Sequence, residues 1–529
     1  MRCAAVLTAL LVYLGGCGPG GPSRVRLEPD VVRPPRGVVI FLVDGLPGAQ
    51  VAQGCREGWL PNIAGRFVEG GCHVEHAMTG VPSITYAAIA TLLTGVEPSR
   101  HGVLGNRWFD PPAALFRDYT TLPSYRAINS DLAAPTLYEL IRPEPSASIQ
   151  SAHVRGVTHD IANWAPSGVM WCFGDYTAVD KLTATSVDEL VRRANWERRW
   201  PTVVTFYFPG LDTIGHVHGP DSRSFRAAME HIDHQLGRIC DWLDRTRLSE
   251  TTNLVLVSDH GMANGGPHGH VNLLALMRDG WGRAATREMH QHRDVALRRL
   301  FYDRFDTVVN DQDGRRASLH FRAAAGWSEA PTPADVAAIL TIPSTEQQLW
   351  NLPGVALVAY LAEDGSAVLR SARGAARILG SGGTGQFPAS FAYEPAPEDV
   401  LGYRDDPDLT AFVTAGFHTS REWLVATAAQ AYPDLVPHLI PLLHLRRAGQ
   451  VVLFARAGYS FVAERGGHGG VTREDRHMTF MLAGPGVPAG RTLATARASD
   501  LVPTVLDLLG LSPPAGVVLD GTSLGPALK

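Results

Sequence analysis

Apolar runs that end beside an acidic residue recur along the chain. Val38–Val43 (VVIFLV) leads into Asp44-Gly45, Val203–Phe208 (VVTFYF) precedes Asp212, and Leu254–Ser258 (LVLVS) leads into Asp259-His260. Uninterrupted apolar runs of this length predict strands buried on both faces, as in a parallel sheet. Val451–Ala455 (VVLFA) and Met478–Leu482 (MTFML) have the same look and are read the same way. Helical patterns lie between them. Phe225, Met229, Ile232, Leu236, Ile239 and Leu243 recur at three- and four-residue steps, and Ser499 is placed to cap a helix that Gly510 stops after Leu509. Strands alternating with helices predict an α/β fold, a doubly wound and mostly parallel sheet with helices on both faces. Ligands in such sheets sit at the carboxyl ends of the strands, where Asp44, Asp212 and Asp259-His260 fall.

The middle of the chain breaks this rhythm. From about Leu273 to Ile440 few runs look like strands of a sheet core, although Asp364-Gly365 between apolar runs signals a hairpin and Gly380–Gln386 (GSGGTGQ) a flexible loop. The expected organisation is a catalytic core over 37–272, an inserted cap over 273–440, and a return to the core over 441–529. The first residues read as a signal. Arg2 is followed by apolar Ala4–Leu14, too short to span a bilayer, and then by Leu14-Gly15-Gly16-Cys17, which resembles a bacterial lipobox. Lipidation of Cys17, a flexible tether over 18–36 and a place in the bacterial cell envelope are the expectations, with the membrane met through the lipid anchor only.

Composition narrows the classes. Of 529 residues 45% are hydrophobic and 19% charged, so a sizeable core can form. The formal net charge of −5 gives no basic excess to argue for specific nucleic-acid binding. Cys55, Cys72, Cys172 and Cys240 carry no CxxC spacing, which disfavours a thiolate zinc site, and their pairing is left open.

Chemistry-bearing residues cluster in four places: Asp44; Asp212 and His216 in GLDTIGHVHGP; Asp259 and His260 in SDHGM; and His468 in GGHGG. Each has Gly close by, which lets the backbone approach an ion. Three Asp and three His at strand ends form a mixed oxygen and nitrogen set suited to a two-metal site, zinc by preference, with Mn or Fe also acceptable.

These blocks, together with PSITYAAIATLLTGVEPSRHGVLGN at Pro82–Asn106 and the closing DLVPTVLDLLG and DGTSL, resemble the alkaline phosphatase superfamily, and within it the type I phosphodiesterase/nucleotide pyrophosphatase branch. The resemblance implies one divalent metal ion at Asp212, His216 and His468, and a second at Asp44, Asp259 and His260 with Thr85 beside it. It implies Thr85 as nucleophile, a phosphoryl-threonine intermediate, a small phosphate ester as substrate, and Asn106 as donor to a phosphoryl oxygen. Residue physics agrees: Thr85 opens an apolar helical pattern whose N-terminus presents N–H groups to a phosphate. Ser83 is a rival nucleophile, and Thr85 as a mere helix cap is the bland alternative. Tyr86-Ala87-Ala88 replaces the polar pair that often follows the nucleophile, which leaves the substrate open. Trp108-Phe109 is read as an apolar wall for a diester, with core packing as the alternative; Arg155, beside His153, as a phosphate contact; His268 and His270 as accessory ligands. A phosphomonoesterase or phosphonate hydrolase on the same site, and a non-catalytic metal-stabilised envelope lipoprotein, are the competing readings.

Overall fold

The computed structural model describes residues 23–529 except Leu122, Pro267, His268 and Pro343, and the side chains of Trp164 and Ala165. The signal segment, Cys17 and His268 therefore lie outside the described residues. Among the described residues no helix is long and apolar enough to cross a membrane, and all four cysteines from Cys55 onward are free thiols.

The first sheet has the expected parallel heart. Strand Gly37–Val43 sits between Val203–Phe208 and Thr252–Ser258, all parallel, and Ser146–Ile149 and His159–Ile161 continue it on one side. All seven residues of Gly37–Val43 are buried. Val39, Phe41 and Val43 point into one apolar cluster, and Val38, Ile40 and Leu42 into the cluster on the opposite face. The helix Arg223–Arg245 covers the first face with the stripe read from its sequence. Full burial of each large side chain in that stripe contributes about 1.5–3 kcal/mol, an upper estimate.

Four expectations need correction. Phe480–Ala483 joins the first sheet antiparallel to Thr252–Ser258, not parallel. Ser499 is not a helix cap: the α-helix begins at Leu501, and the Ser499 hydroxyl donates to Glu97 at 2.9 Å. The middle region is not poor in strands. It builds most of a second nine-stranded sheet, antiparallel except at the pair Ala285–Thr286 and Thr307–Asp313. Val451–Ala455 belongs to that second sheet, between Arg316–Phe321 and Val355–Leu361. Its faces are both covered, Val452 and Phe454 by one cluster and Val451, Leu453 and Ala455 by another. A central antiparallel strand covered on both sides reads just like a parallel one. The hairpin at Asp364-Gly365 forms, with Gly365 at φ +80.

Two features join the sheets at the site. The helix Thr85–Thr94 lies between them, with Ile89, Leu92 and Leu93 in the first sheet's cluster and Ala87 and Ala90 in the second sheet's. The chain leaves for the second sheet after Ala263–Asn264 and comes back through Gly466–Gly467, and these two short strands pair with each other.

Candidate metal centre

Register decides the geometry. Val43 pairs with both Phe208 and Ser258, so three strands end level. Asp44 and Asp259-His260 are the next residues. Asp212 and His216 follow on the helix Gly210–His218, on one face at four-residue spacing. His468 comes from the loop after Gly466–Gly467. The six residues named from the sequence thus meet at one edge of the first sheet.

Ligand atoms of Asp44, Asp259 and His260 lie within 4.8 Å of one another, as do those of Asp212, His260 and His468. His260 Nε2 is 3.3 Å from Asp44 Oδ1 and 3.3 Å from Asp259 Oδ2. Asp212 is 3.4 Å from His216 Nε2 and 3.5 Å from His468 Nε2. The His260 and His468 rings stack at 3.6 Å.

Three observations show that this set fits cations. First, Asp44 Oδ1, Asp212 Oδ1 and Asp259 Oδ2 are buried without a hydrogen-bond donor among the described residues, a costly state for a carboxylate. Second, each imidazole is oriented through Nδ1, which donates to Gly261 O from His260 (2.9 Å), to Ser83 O from His468 (2.9 Å) and to Gly466 O and Glu464 from His216. All three Nε2 lone pairs therefore face inward, and those of His216 and His468 come within 3.1 Å. Third, the charges are frustrated. Burial, then the Asp212 charge, pushes Asp44 above the usual carboxylate range, and burial and Asp44 do the same to Asp259. Burial opposes charge on His260 too, yet Asp259 and Asp44 raise it to about 10. Burial opposes the Asp212 carboxylate, but His216, His468 and His260 hold it low. Acids pushed toward protonation beside one held ionised, with a neighbouring imidazole, His468, driven by burial toward its neutral form, make an unbalanced set that a divalent cation satisfies.

Thr85 is the first residue of its helix; the cap is Ile84, and no side-chain cap bond forms. Thr85 is 7% exposed, and its Oγ1 stands 3.2 Å from His260 Nε2, facing the cluster. Ser83 points elsewhere: its hydroxyl donates to Gly470 O at 2.8 Å and accepts from Gly469 N at 3.1 Å. Asn106 Oδ1 accepts the Tyr86 N–H at 3.1 Å, which ties Asn106 to the start of the Thr85 helix and leaves its amide N–H groups for another acceptor.

The proposed substrate contacts do not reach this place. Trp108 (2% exposed) gives its N–H to the Tyr119 hydroxyl, and Phe109 (0%) packs among Phe116, Tyr302, His320 and Trp327. The pair is core, not a wall. The Arg155 guanidinium is spent on Glu139 at 3.0 Å and on the carbonyls of Leu132 and Ala134, so it holds a loop and not a phosphate. His153 bonds the Tyr86 carbonyl at 3.2 Å, and burial lowers it to about 4. His270 is exposed, pairs with Ser460 as an isolated bridge, and lines an open cavity together with His216 and Glu464.

Several supporting residues escaped the sequence reading. Tyr207 donates to Asp44 Oδ2 at 2.5 Å; a tyrosine in an otherwise apolar strand needs such a partner and was the available signal. Glu464 backs His216. Asp180 accepts from Gly210 N at the start of the Asp212 helix at 2.9 Å.

Comparison with known proteins now bears on this geometry. The family model for type I phosphodiesterase / nucleotide pyrophosphatase matches residues 38–326, more than half of the chain. An uncharacterized pyrophosphatase/phosphodiesterase of Schizosaccharomyces pombe is 25% identical over 233 residues, covering 43% of this chain and 44% of that protein. Ectonucleotide pyrophosphatase/phosphodiesterase family member 1 of Rattus norvegicus is 26% identical over 279 residues, covering 50% of this chain and 29% of its own. A venom phosphodiesterase of Macrovipera lebetinus is 25% identical over 236 residues, covering 42% of this chain and 25% of its own. The chain thus spans less than half the length of these relatives.

Proposed function

The chain belongs to the type I phosphodiesterase / nucleotide pyrophosphatase family, and we propose that it is an exported two-metal hydrolase of phosphoric diesters that acts through a phosphoryl-threonine. One observation carries this reading: the Thr85 hydroxyl, at a helix N-terminus, faces three buried carboxylates with undonated oxygens and three inward Nε2 atoms.

Asp212, His216 and His468 would hold one divalent ion, and Asp44, Asp259 and His260 the other, with zinc favoured by the donor set. Ions held there supply positive charge that stabilises a threonine alkoxide and the oxygens around phosphorus. Thr85 Oγ1 attacks phosphorus, and the ester oxygen opposite leaves. The Asn106 amide and the N–H end of the Thr85 helix steady the oxygens that gain charge. Water then cleaves the phosphoryl-threonine and restores Thr85. The Tyr207 hydroxyl holds the Asp44 carboxylate in place throughout.

The engagement of Arg155 supports the diester reading. A monoester dianion needs basic side chains around it, and Arg155 is engaged elsewhere. We place the catalytic core at about 37–264 and 466–529, because Val451–Ala455 lies in the second sheet with the inserted region, which shapes access. Export as an envelope lipoprotein through Cys17 completes the reading, supported by the signal-like start of the sequence. The test compares kcat/KM of the zinc-loaded protein on bis-p-nitrophenyl phosphate and p-nitrophenyl phosphate. Preference for the diester is expected; preference for the monoester would make this a phosphatase.

A further inference from the structure

His216 differs from the other two imidazoles in what stands behind it. His260 and His468 give Nδ1–H to main-chain carbonyls alone, whereas His216 Nδ1 meets the Glu464 carboxylate at 2.8 Å beside the Gly466 carbonyl at 2.9 Å. The Glu464 side chain is 8% exposed. Its other oxygen accepts the Ser460 hydroxyl at 2.6 Å, and Ser460 Oγ also lies 2.8 Å from the Gly314 carbonyl. Gly314 is the turn between Thr307–Asp313 and Arg316–Phe321 of the second sheet. Two glycines make room here, one against the carboxylate and one against the loop that carries His468. A Cβ on Gly467 would come within 2.1 Å of Glu464 Oε1, and one on Gly314 within 2.6 Å of the His468 carbonyl. An anion bonded to Nδ1–H fixes the tautomer, aims Nε2 and makes the ring a stronger donor to a metal.

We propose that Glu464 is a positioning residue that sets the metal affinity of the Asp212–His216–His468 position, and that the second sheet reaches this position through Ser460 and Gly314; this rests on the metal-binding reading above. Glu464 touches neither the substrate nor the reacting atoms. It acts through His216 alone, so its effect falls on one of the two metal positions and spares the Asp44–Asp259–His260 position.

The test reads affinity, not turnover. Metal-free full chain is titrated with zinc in competition with a chromogenic chelator. Wild type is expected to take up two ions. Glu464→Gln keeps the shape and an acceptor but removes the charge. It is expected to weaken one position by about 10- to 100-fold and leave the other within about twofold. Ser460→Ala, which frees the second oxygen of Glu464, should cause a smaller loss at the same position, and it serves as the probe if Glu464→Gln does not fold. Unchanged affinity at both positions in Glu464→Gln, or equal weakening of both, overturns the proposal. Wild type that takes up no zinc overturns it together with the metal-binding reading. Selective loss of one ion in a protein that hydrolyses no diester upholds Glu464 and removes the phosphodiesterase reading.

Discussion

Thr85 and Ser83 stand two positions apart, and the structure gives their hydroxyls opposite surroundings. Thr85 Oγ1 faces His260, while Ser83 is consumed by the loop that carries His468. Thr85→Ala is expected to lower kcat by about 10³-fold or more while zinc uptake stays the same. Ser83→Ala should keep kcat within an order of magnitude and cost about 1–3 kcal/mol of stability, read by urea unfolding, because it strips partners from Gly469 and Gly470. The reverse pattern would make Ser83 the nucleophile. At this scale the ligands were legible because an acidic residue after a buried apolar run has few structural reasons to be there. Trp108 and Phe109 were misread because an aromatic pair near a site looks the same whether it lines a pocket or fills a core. Glu464 was invisible, since its meaning depends on a histidine 248 positions away.

Among the elements, the turn that links Thr307–Asp313 to Arg316–Phe321 brings the second sheet into the metal centre. Arg315 N donates to the His468 carbonyl at 2.8 Å. Its guanidinium, 1% exposed, bonds Asp475 at 2.8 Å, the Tyr459 carbonyl at 2.7 Å and the Asn264 carbonyl at 3.3 Å. One buried arginine thus ties together the chain just before and just after the crossing into the second sheet. Arg315→Met strands the Asp475 carboxylate, a loss of about 3–5 kcal/mol. We expect a lower urea midpoint for the metal-free protein; an unchanged midpoint would mean the turn is not a support. The three central strands of the first sheet could be read from the sequence because strands buried on both faces leave unbroken apolar runs, whereas its outer strands such as Gly71–Met78 carry mixed burial. The second could not, because strands such as Gly374–Ser381 carry mixed exposure and short apolar stretches.

Across the whole molecule, buried histidines set an acid limit that is separate from the metal chemistry. His101 and His320 are fully buried, and burial, with His153 near the first and Arg316 near the second, lowers each to about 3. Unfolded, each takes up a proton below about pH 6.5. Their contribution to stability is therefore full above that value and is lost as pH falls toward the folded value, at up to about 1.4 kcal/mol per pH unit each. Urea unfolding of metal-free protein between pH 7.5 and 5 should show a shallower fall for His320→Gln than for wild type; parallel profiles would count against this assignment.

The crossing between the sheets has one more consequence. Asp259 and His260 lie just before the paired strands Ala263–Asn264 and Gly466–Gly467, and His468 lies just after them. His468 would share its ion with Asp212 and His216, which also precede the crossing, so that ion would act as a cross-link, closing a loop of about 250 residues in the manner of a disulfide. The chain-entropy relation assigns such a closure roughly 5 kcal/mol of restraint on the unfolded chain. Metal capture would then fasten the fold where the polypeptide leaves the first sheet and comes back to it.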